Sequence, residues 1–244
     1  MITLLTVQEP QTITKIWNLV DWLAQEWKLS AGFPLGTLIL FGVLVCICTA
    51  YLLGSVQTAI PISKRFFHGD IRQYGSGRAD TANMLAVYGK GAAVITVVAE
   101  VLKVAAAICI GRLILEVNGG ALASFFVLFG QMYPLFYRFK GGNILVCLTT
   151  VVITLDMFTF LILLVIFLVG LFGTRMLSFA TVMTALLYPL VLQSFANNGL
   201  NVAMAVLTAI FVLYWHRENL KRMQVGQEEK VDFSKLFPRK KGKQ

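Results

Sequence analysis

The stretch LGTLILFGVLVCICTAYLLGS, residues 35–55, decides the architecture: it runs for twenty-one residues without a charge. A helix crossing a hydrocarbon core about 30 Å thick needs about 20 such residues. The pattern recurs along the chain. Apolar runs read as 35–62, 91–115, 121–137, 144–155, 157–173, 177–194 and 200–215, and several are short enough to be half-spans sheltered by neighbours. The fourth and fifth are divided at TLDM (154–157), because Asp156 is costly at mid-membrane and suits a turn near the interface. Of the 244 residues 57% are hydrophobic and only 14% charged. A soluble domain carries about 25% charged residues, so the expected fold is all-α and polytopic, with about seven transmembrane helices.

Lys and Arg positions give the orientation. The segment 63–90 carries Lys64, Arg65, Arg72, Arg78 and Lys90, RFKGGN (138–143) carries Arg138 and Lys140, and GTRM (173–176) carries Arg175. The intervening connections at 116–120, TLDM and FANNG (195–199) carry none, and the tail from Arg217 to Lys243 is strongly basic. Basic and non-basic connections therefore alternate, as the positive-inside rule requires for seven spans. The N-terminus is expected outside and the C-terminus in the cytoplasm.

Three regions follow from this reading: an N-terminal extension over 1–33, a membrane domain over 34–230 and a basic tail over 231–244. In the extension, Ile13, Ile16, Trp17, Val20, Leu23, Ala24 and Trp27 share one helical face, opposite Lys15, Asn18, Asp21, Gln25 and Lys28. That stripe suits the headgroup layer or packing on the rest of the chain. The extension lacks the basic start and apolar core of a cleavable signal. Cys46, Cys48, Cys109 and Cys147 lie inside apolar runs without ligand-like spacing, and His68 and His216 are far apart, so no metal site is expected. The net charge of +9 sits mostly on one face, where it attracts anionic membrane lipids. No soluble basic module for nucleic acid is present.

Three polar segments on the basic side are richer than topology requires. In GDIRQYGSGRADTAN (69–83), Gly75 and Gly77 flank Ser76, letting backbone N–H groups converge on an anion, with Ser76 and Asn83 as side-chain donors; an ordinary turn is the competing reading. In YRFKGGNI (137–144), Lys140 precedes Gly141 and Gly142 at the approach to a short apolar helix, an arrangement that favours phosphate or simply marks a cytoplasmic loop. In YWHRENLKRMQVGQEE (214–229), His216, Arg217, Glu218 and Asn219 leave the membrane together. Inside the second run Glu100 and Lys103 lie three apart on one helix face, either as an internal ion pair or with the lysine facing substrate. Convergence of these parts would make a site for a phosphorylated small molecule beside lipid.

Taken in order, these segments resemble the bacterial acyl-phosphate:glycerol-3-phosphate acyltransferases of the PlsY type. That family shows YLLGS, GSGNxGATNxxR, an intramembrane D-x-x-K, GHxYPxFxxFKGGKG and HRENxxRLxxGxE. The chain has YLLGS (51–55), GSGRADTANMLA (75–86), Glu100 with Lys103, GQMYPLFYRFKGGNI (130–144) and HRENLKRMQVGQE (216–228), so the similarity covers about residues 36–230. The resemblance implies seven spans with the motifs cytoplasmic, a bacterial plasma membrane location, and acyl transfer from acyl-phosphate to glycerol 3-phosphate, giving lysophosphatidic acid. No metal or cofactor is implied. His216 and Glu218 are the catalytic candidates, with His216 polarising or deprotonating the acceptor hydroxyl. Ser76, Gly77, Asn83, Lys103, Lys140, Gly141, Gly142, Arg217 and Asn219 are the substrate-binding candidates, and Arg222 also matches.

The departures are Arg78 for Asn, Asp80 for Gly, Thr81-Ala82 for Ala-Thr, Ala86 for Arg, Gln131 for His and Asn143 for Lys. Two missing charge-assisted contacts, at about 1.5–3 kcal/mol each, predict a weaker hold on phosphate. A non-catalytic relative that binds lipid or a partner is the alternative. A small-solute transporter fits less well, since the charges cluster on one face.

Overall fold

The computed structural model describes residues 18–27, 33–195 and 198–228. The stripe residues Ile13, Ile16 and Trp17, part of FANNG and the basic tail lie outside these. All regular structure among the described residues is helical. A short helix α1 (Leu19–Glu26) precedes α2 (Phe33–Ser55), α3 (Ala59–Phe67) and the long α4 (Thr81–Met132). They are followed by α5 (Leu145–Leu155), α6 (Met157–Thr174), α7 (Leu177–Phe195), α8 (Gly199–Trp215) and α9 (Arg217–Gln224).

The apolar run expected over 35–62 is two helices. The Val56 carbonyl, which would continue α2, instead accepts a hydrogen bond from Lys103 Nζ at 2.8 Å. Pro61, which has no N–H to give, falls in the first turn of α3, where none is needed. The run expected from residue 91 begins earlier, at Thr81, with a break at Gly89 (φ +82°).

Within α4 the chain reverses at Leu115–Glu116, where Glu116 has φ +54°. The connection expected over 116–120 is thus a two-residue turn, with helix resuming at once. The outbound leg (90–114) and return leg (117–132) touch backbone to backbone: a Cβ on Gly111 would collide with the Gly119 carbonyl, and the reverse. α2 runs parallel to the return leg by the same means, with Gly54 against the Val127 carbonyl and Gly130 against that of Tyr51. Small residues permit this approach, and in lipid such close packing drives helix association.

Among the described residues, four helical stretches are long and apolar enough to cross a membrane, or five if α8 and the bent α9 count as one. α5, with 11 residues, is too short to cross alone at 1.5 Å per residue. It is sheltered instead, with Cys147, Leu148, Val151 and Val152 buried. Arg112 Nη2 donates to the Thr154 carbonyl at 3.1 Å, satisfying an orphan group at the C-terminal end of α5. α1 packs Val20, 4% exposed, against α2 and the turn of α4.

Candidate functional site

The ends of α2, α4 and α8 and the starts of α5 and α7 meet on the face opposite the Leu115–Glu116 turn. The first loop there is organised by Asn83. Its Oδ1 accepts from Ser76 N–H at 3.0 Å, while Nδ2 donates to the carbonyls of Arg78 at 2.9 Å, Tyr74 at 3.0 Å and Ile71 at 3.3 Å. The loop is thereby wrapped around the first turn of α4. Gly75 (φ +59°) is required, because a Cβ there would collide with Asn83 Oδ1. The amide expected to reach an anion is spent on the loop itself. Ser76 is exposed, and its hydroxyl makes no hydrogen bond to another described residue. Gly77 (φ +72°) completes the turn.

Asp80 replaces the family's glycine and caps α4, its Oδ1 accepting from Asn83 N–H at 2.9 Å. Its Oδ2 lies 3.1 Å from Arg78 Nε, leaving the Arg78 side chain 58% exposed. Asp70, at the preceding 3₁₀ turn, pairs with Arg72 at 2.7 Å and Lys64 at 3.4 Å. The guanidinium of Arg72 holds the Asp70 carboxyl well below the usual carboxylate range.

Beneath the loop is a buried polar cluster. Lys103 Nζ donates to Glu100 Oε1, Val56 O and Gln131 Oε1, each at 2.8 Å. Glu100 Oε2 accepts from Thr58 Oγ1 at 2.7 Å, and Gln57 Nε2 donates to the Gln131 carbonyl at 3.0 Å. Of the two readings of Lys103, the internal ion pair is the one observed, since all three ammonium protons have protein partners.

The Lys-Gly-Gly segment crosses this cluster. A Cβ on Gly141 would strike the carbonyls of Gln131 and Met132, and one on Gly142 would lie 2.6 Å from Ala79 O and 3.0 Å from Gln57 Oε1. The two glycines therefore let the second loop pass directly beside the first. Lys140 is exposed at its edge. Asn143 Oδ1 accepts from Leu145 N–H at 2.9 Å and so starts α5.

His216 caps α8, with Nδ1 3.0 Å from the Val212 carbonyl. With the proton on Nδ1 donating to that carbonyl, Nε2 is left as the basic nitrogen. Burial pushes the imidazole below its ordinary value, and the positive charge of Arg78 adds to the effect. Asn219 Nδ2 donates to Ser178 Oγ at 2.9 Å and Glu228 Oε1 at 3.0 Å, and Ser178 Oγ donates to Glu228 at 2.6 Å. This trio ties α9 to the start of α7. Glu218 stands apart, 60% exposed and 3.3 Å from Lys221. Arg217 stacks over the Tyr214 ring at 4.2 Å, and Arg222 is exposed.

A cavity opens between the loops, lined by Thr58, Asp80, Thr96, Glu100, Gln131, Asn143 and Leu177. Leu145 also lines an apolar groove between α5, α6 and α7, bounded by Leu148, Phe160, Leu163 and Thr181. Both carboxylates in the cavity are neutralised, Glu100 by Lys103 and Asp80 by Arg78. Sequence reasoning passed over Gln57, Thr58, Ser178 and Glu228; only the Gly-x-Glu that ends the third motif signalled any of them.

Fold and site together define a helical membrane protein with a cavity between its loops, walled in part by the paired carboxylates Asp80 and Glu100, that shares Leu145 with an apolar groove. The family model for glycerol-3-phosphate acyltransferase matches residues 44–226. The glycerol-3-phosphate acyltransferase of Streptococcus thermophilus (strain CNRZ 1066) is 32% identical over 201 residues, covering 78% of this chain and 94% of that one. That of Carboxydothermus hydrogenoformans is 31% identical over 182 residues, covering 75% and 93%. The crystal structure of PlsY, an integral membrane glycerol 3-phosphate acyltransferase, in its glycerol 3-phosphate form, superposes with a TM-score of 0.70 at 25% identity, covering 81% of this chain and 99% of that one. Its lysophosphatidic acid form gives 0.69. The chain belongs to the glycerol-3-phosphate acyltransferase family.

Proposed function

We propose that the protein transfers a fatty acyl group from acyl-phosphate to glycerol 3-phosphate, releasing phosphate and giving lysophosphatidic acid. The observation that carries this reading is a cavity lined by Thr58, Asp80, Gln131 and Asn143, with Arg78 paired to Asp80, that shares Leu145 with an apolar groove. One side suits a phosphorylated polyol and the other an acyl chain. His216 Nε2 takes the proton from the acceptor hydroxyl as its oxygen forms the ester bond and the carbonyl–phosphate bond breaks. An acyl phosphate is a mixed anhydride, so the leaving phosphate needs little acid help, and positioning with cationic stabilisation supplies most of the acceleration. The exposed cations assigned to phosphate are Arg78, paired to Asp80 of the cavity wall, with Lys140 and Arg217 of the other two loops, and Ser76 is a hydroxyl donor. Gly77, Asn83, Gly141, Gly142, Lys103 and Asn219 hold the loops that carry them. Glu218 acts through the charges of α9, beside Arg217 and Lys221.

The orientation that goes with this function is seven spans in a bacterial plasma membrane, the short α5 being a half-span sheltered by its neighbours, with the motifs and C-terminus cytoplasmic and the N-terminus outside. It is supported by the reversal at Leu115–Glu116, which divides α4 into two legs, and by the crowding of Lys64, Arg65, Arg138, Lys140 and Arg175 at the site end. Expression in a bacterium depleted of its own acyl-phosphate-dependent acyltransferase tests the proposal. Growth is expected to return; failure to grow with the protein present in the membrane contradicts it.

A further inference from the structure

Lipid-facing apolar residues on the outbound leg of α4 begin at Val94, 60% exposed. Closer to the site end, large aromatic residues remain uncovered. The run Lys64-Arg65-Phe66-Phe67-His68 at the end of α3 is exposed residue after residue, with Phe66 at 62%. The loop after the return leg repeats the composition: Phe136 and Phe139 are each 56% exposed, and Arg138 between them is exposed as well. The two segments belong to one rim. Arg72 lies over the Tyr137 ring at 5.6 Å, and Phe67 stacks on Tyr88 at 4.3 Å, which meets Tyr74 edge-on at 6.4 Å.

Several large exposed aromatic residues flanked by basic side chains at one end of a protein mark a contact site. Both segments hang directly from membrane-crossing helices, α3 from α2 and the loop from the return leg, so the bilayer surface already lies at their height. Aromatic rings collect at that interface, and basic side chains there are drawn to anionic headgroups.

We infer that this rim is a docking surface for anionic phospholipid headgroups. Phe66, Phe136 and Phe139 enter the headgroup–acyl boundary, while Arg65 and Arg138 hold lipid phosphates. Tyr137 of the rim packs on the buried cluster that includes Ala59 and Ala79, and both of those line the cavity. The inference is independent of acyl transfer, since it concerns only how the protein sits in the bilayer.

Nitroxide labels test it, placed by Phe66→Cys and separately by Phe136→Cys in the full chain carrying Cys48→Ala and Cys109→Ala. The protein is reconstituted in phosphatidylcholine vesicles with or without phosphatidylglycerol, and depth is read from collisions with oxygen and a water-soluble nickel complex. Both labels are expected at the boundary and deeper with phosphatidylglycerol. The deepening is expected to vanish in Arg65→Gln/Arg138→Gln and at high salt, where screening shortens the reach of charge to about 3 Å at 1 M. Full nickel access in both vesicles overturns the inference. Equal depth in both overturns the preference for anionic lipid, and shielding from both reagents assigns the rim to a protein partner instead.

Discussion

Lys103 Nζ lies 2.8 Å from Glu100 Oε1, with the two side chains 7% and 6% exposed, directly beneath both glycine-rich loops. The pair joins the end of α2 to both legs of α4 through Val56, Thr58 and Gln131. Glu100→Ala is expected to destabilise the protein by about 3–5 kcal/mol, because it strands a buried ammonium. The double change Glu100→Leu/Lys103→Met should cost distinctly less. Thermal unfolding in detergent separates the two; equal losses would mean the charges themselves are not what is being lost.

Asn83→Ala removes four hydrogen bonds that fold the first loop onto α4. At about 1 kcal/mol net for each bond, a loss of about 2–4 kcal/mol in stability is expected, together with a raised KM for glycerol 3-phosphate. Asn83→Asp keeps the acceptor for Ser76 N–H but not the donors, and should fall between. A variant with unchanged unfolding would place the loop's support elsewhere.

Burial lowers the affinity of His216 for a proton, so its neutral form persists below the ordinary value of about 6.5. As a general base it works only when neutral. kcat/KM should therefore rise with pH through an apparent pKa below 6.5 and then level. The same shift gives a stability term that is present above 6.5 and lost as pH falls toward the depressed value, because the unfolded chain binds the proton more readily. His216→Ala should lower kcat by about 10²–10⁴ and abolish the acid limb. A pH–rate profile with no limb in this range assigns the proton transfer to another group.

Ala86 is exposed on α4, one turn beyond Ala82, which lines the cavity. Ala86→Arg restores a cation there at the family's position. The KM for glycerol 3-phosphate should fall by about tenfold or more, as one charge-assisted contact of about 1.5–3 kcal/mol implies, with little change in kcat. An unchanged KM would show that Arg78 already supplies the needed charge. The companion change Asn143→Lys is expected to act differently, because it also removes the acceptor for Leu145 N–H at the start of α5, a loss of about 1 kcal/mol.

Much of this was legible in the sequence because membrane physics acts on composition. Charge-free runs and Asp156 located the ends of α5, α6, α7 and α8 within one residue, whereas Gly141 and Gly142, read as an approach to phosphate, turn out to allow a close backbone crossing. The reversal was expected over 116–120, where Asn118, Gly119 and Gly120 look like a turn, but it falls at Leu115–Glu116 because Gly119 is used instead to pack the return leg against Gly111. The end of α2 was misplaced because its cause, the Val56 carbonyl turned to Lys103, is tertiary. Asn83 illustrates the limit for sites: its amide has the same chemistry whether it faces an anion or three carbonyls of its own loop, and only the fold decides.

The most direct test of the account is acyl transfer by the purified chain in proteoliposomes, given acyl-phosphate and glycerol 3-phosphate. Saturable formation of lysophosphatidic acid is predicted, with one phosphate released per product and a loss of rate in His216→Ala. No product at millimolar glycerol 3-phosphate, from protein that is folded and membrane-inserted, would contradict it.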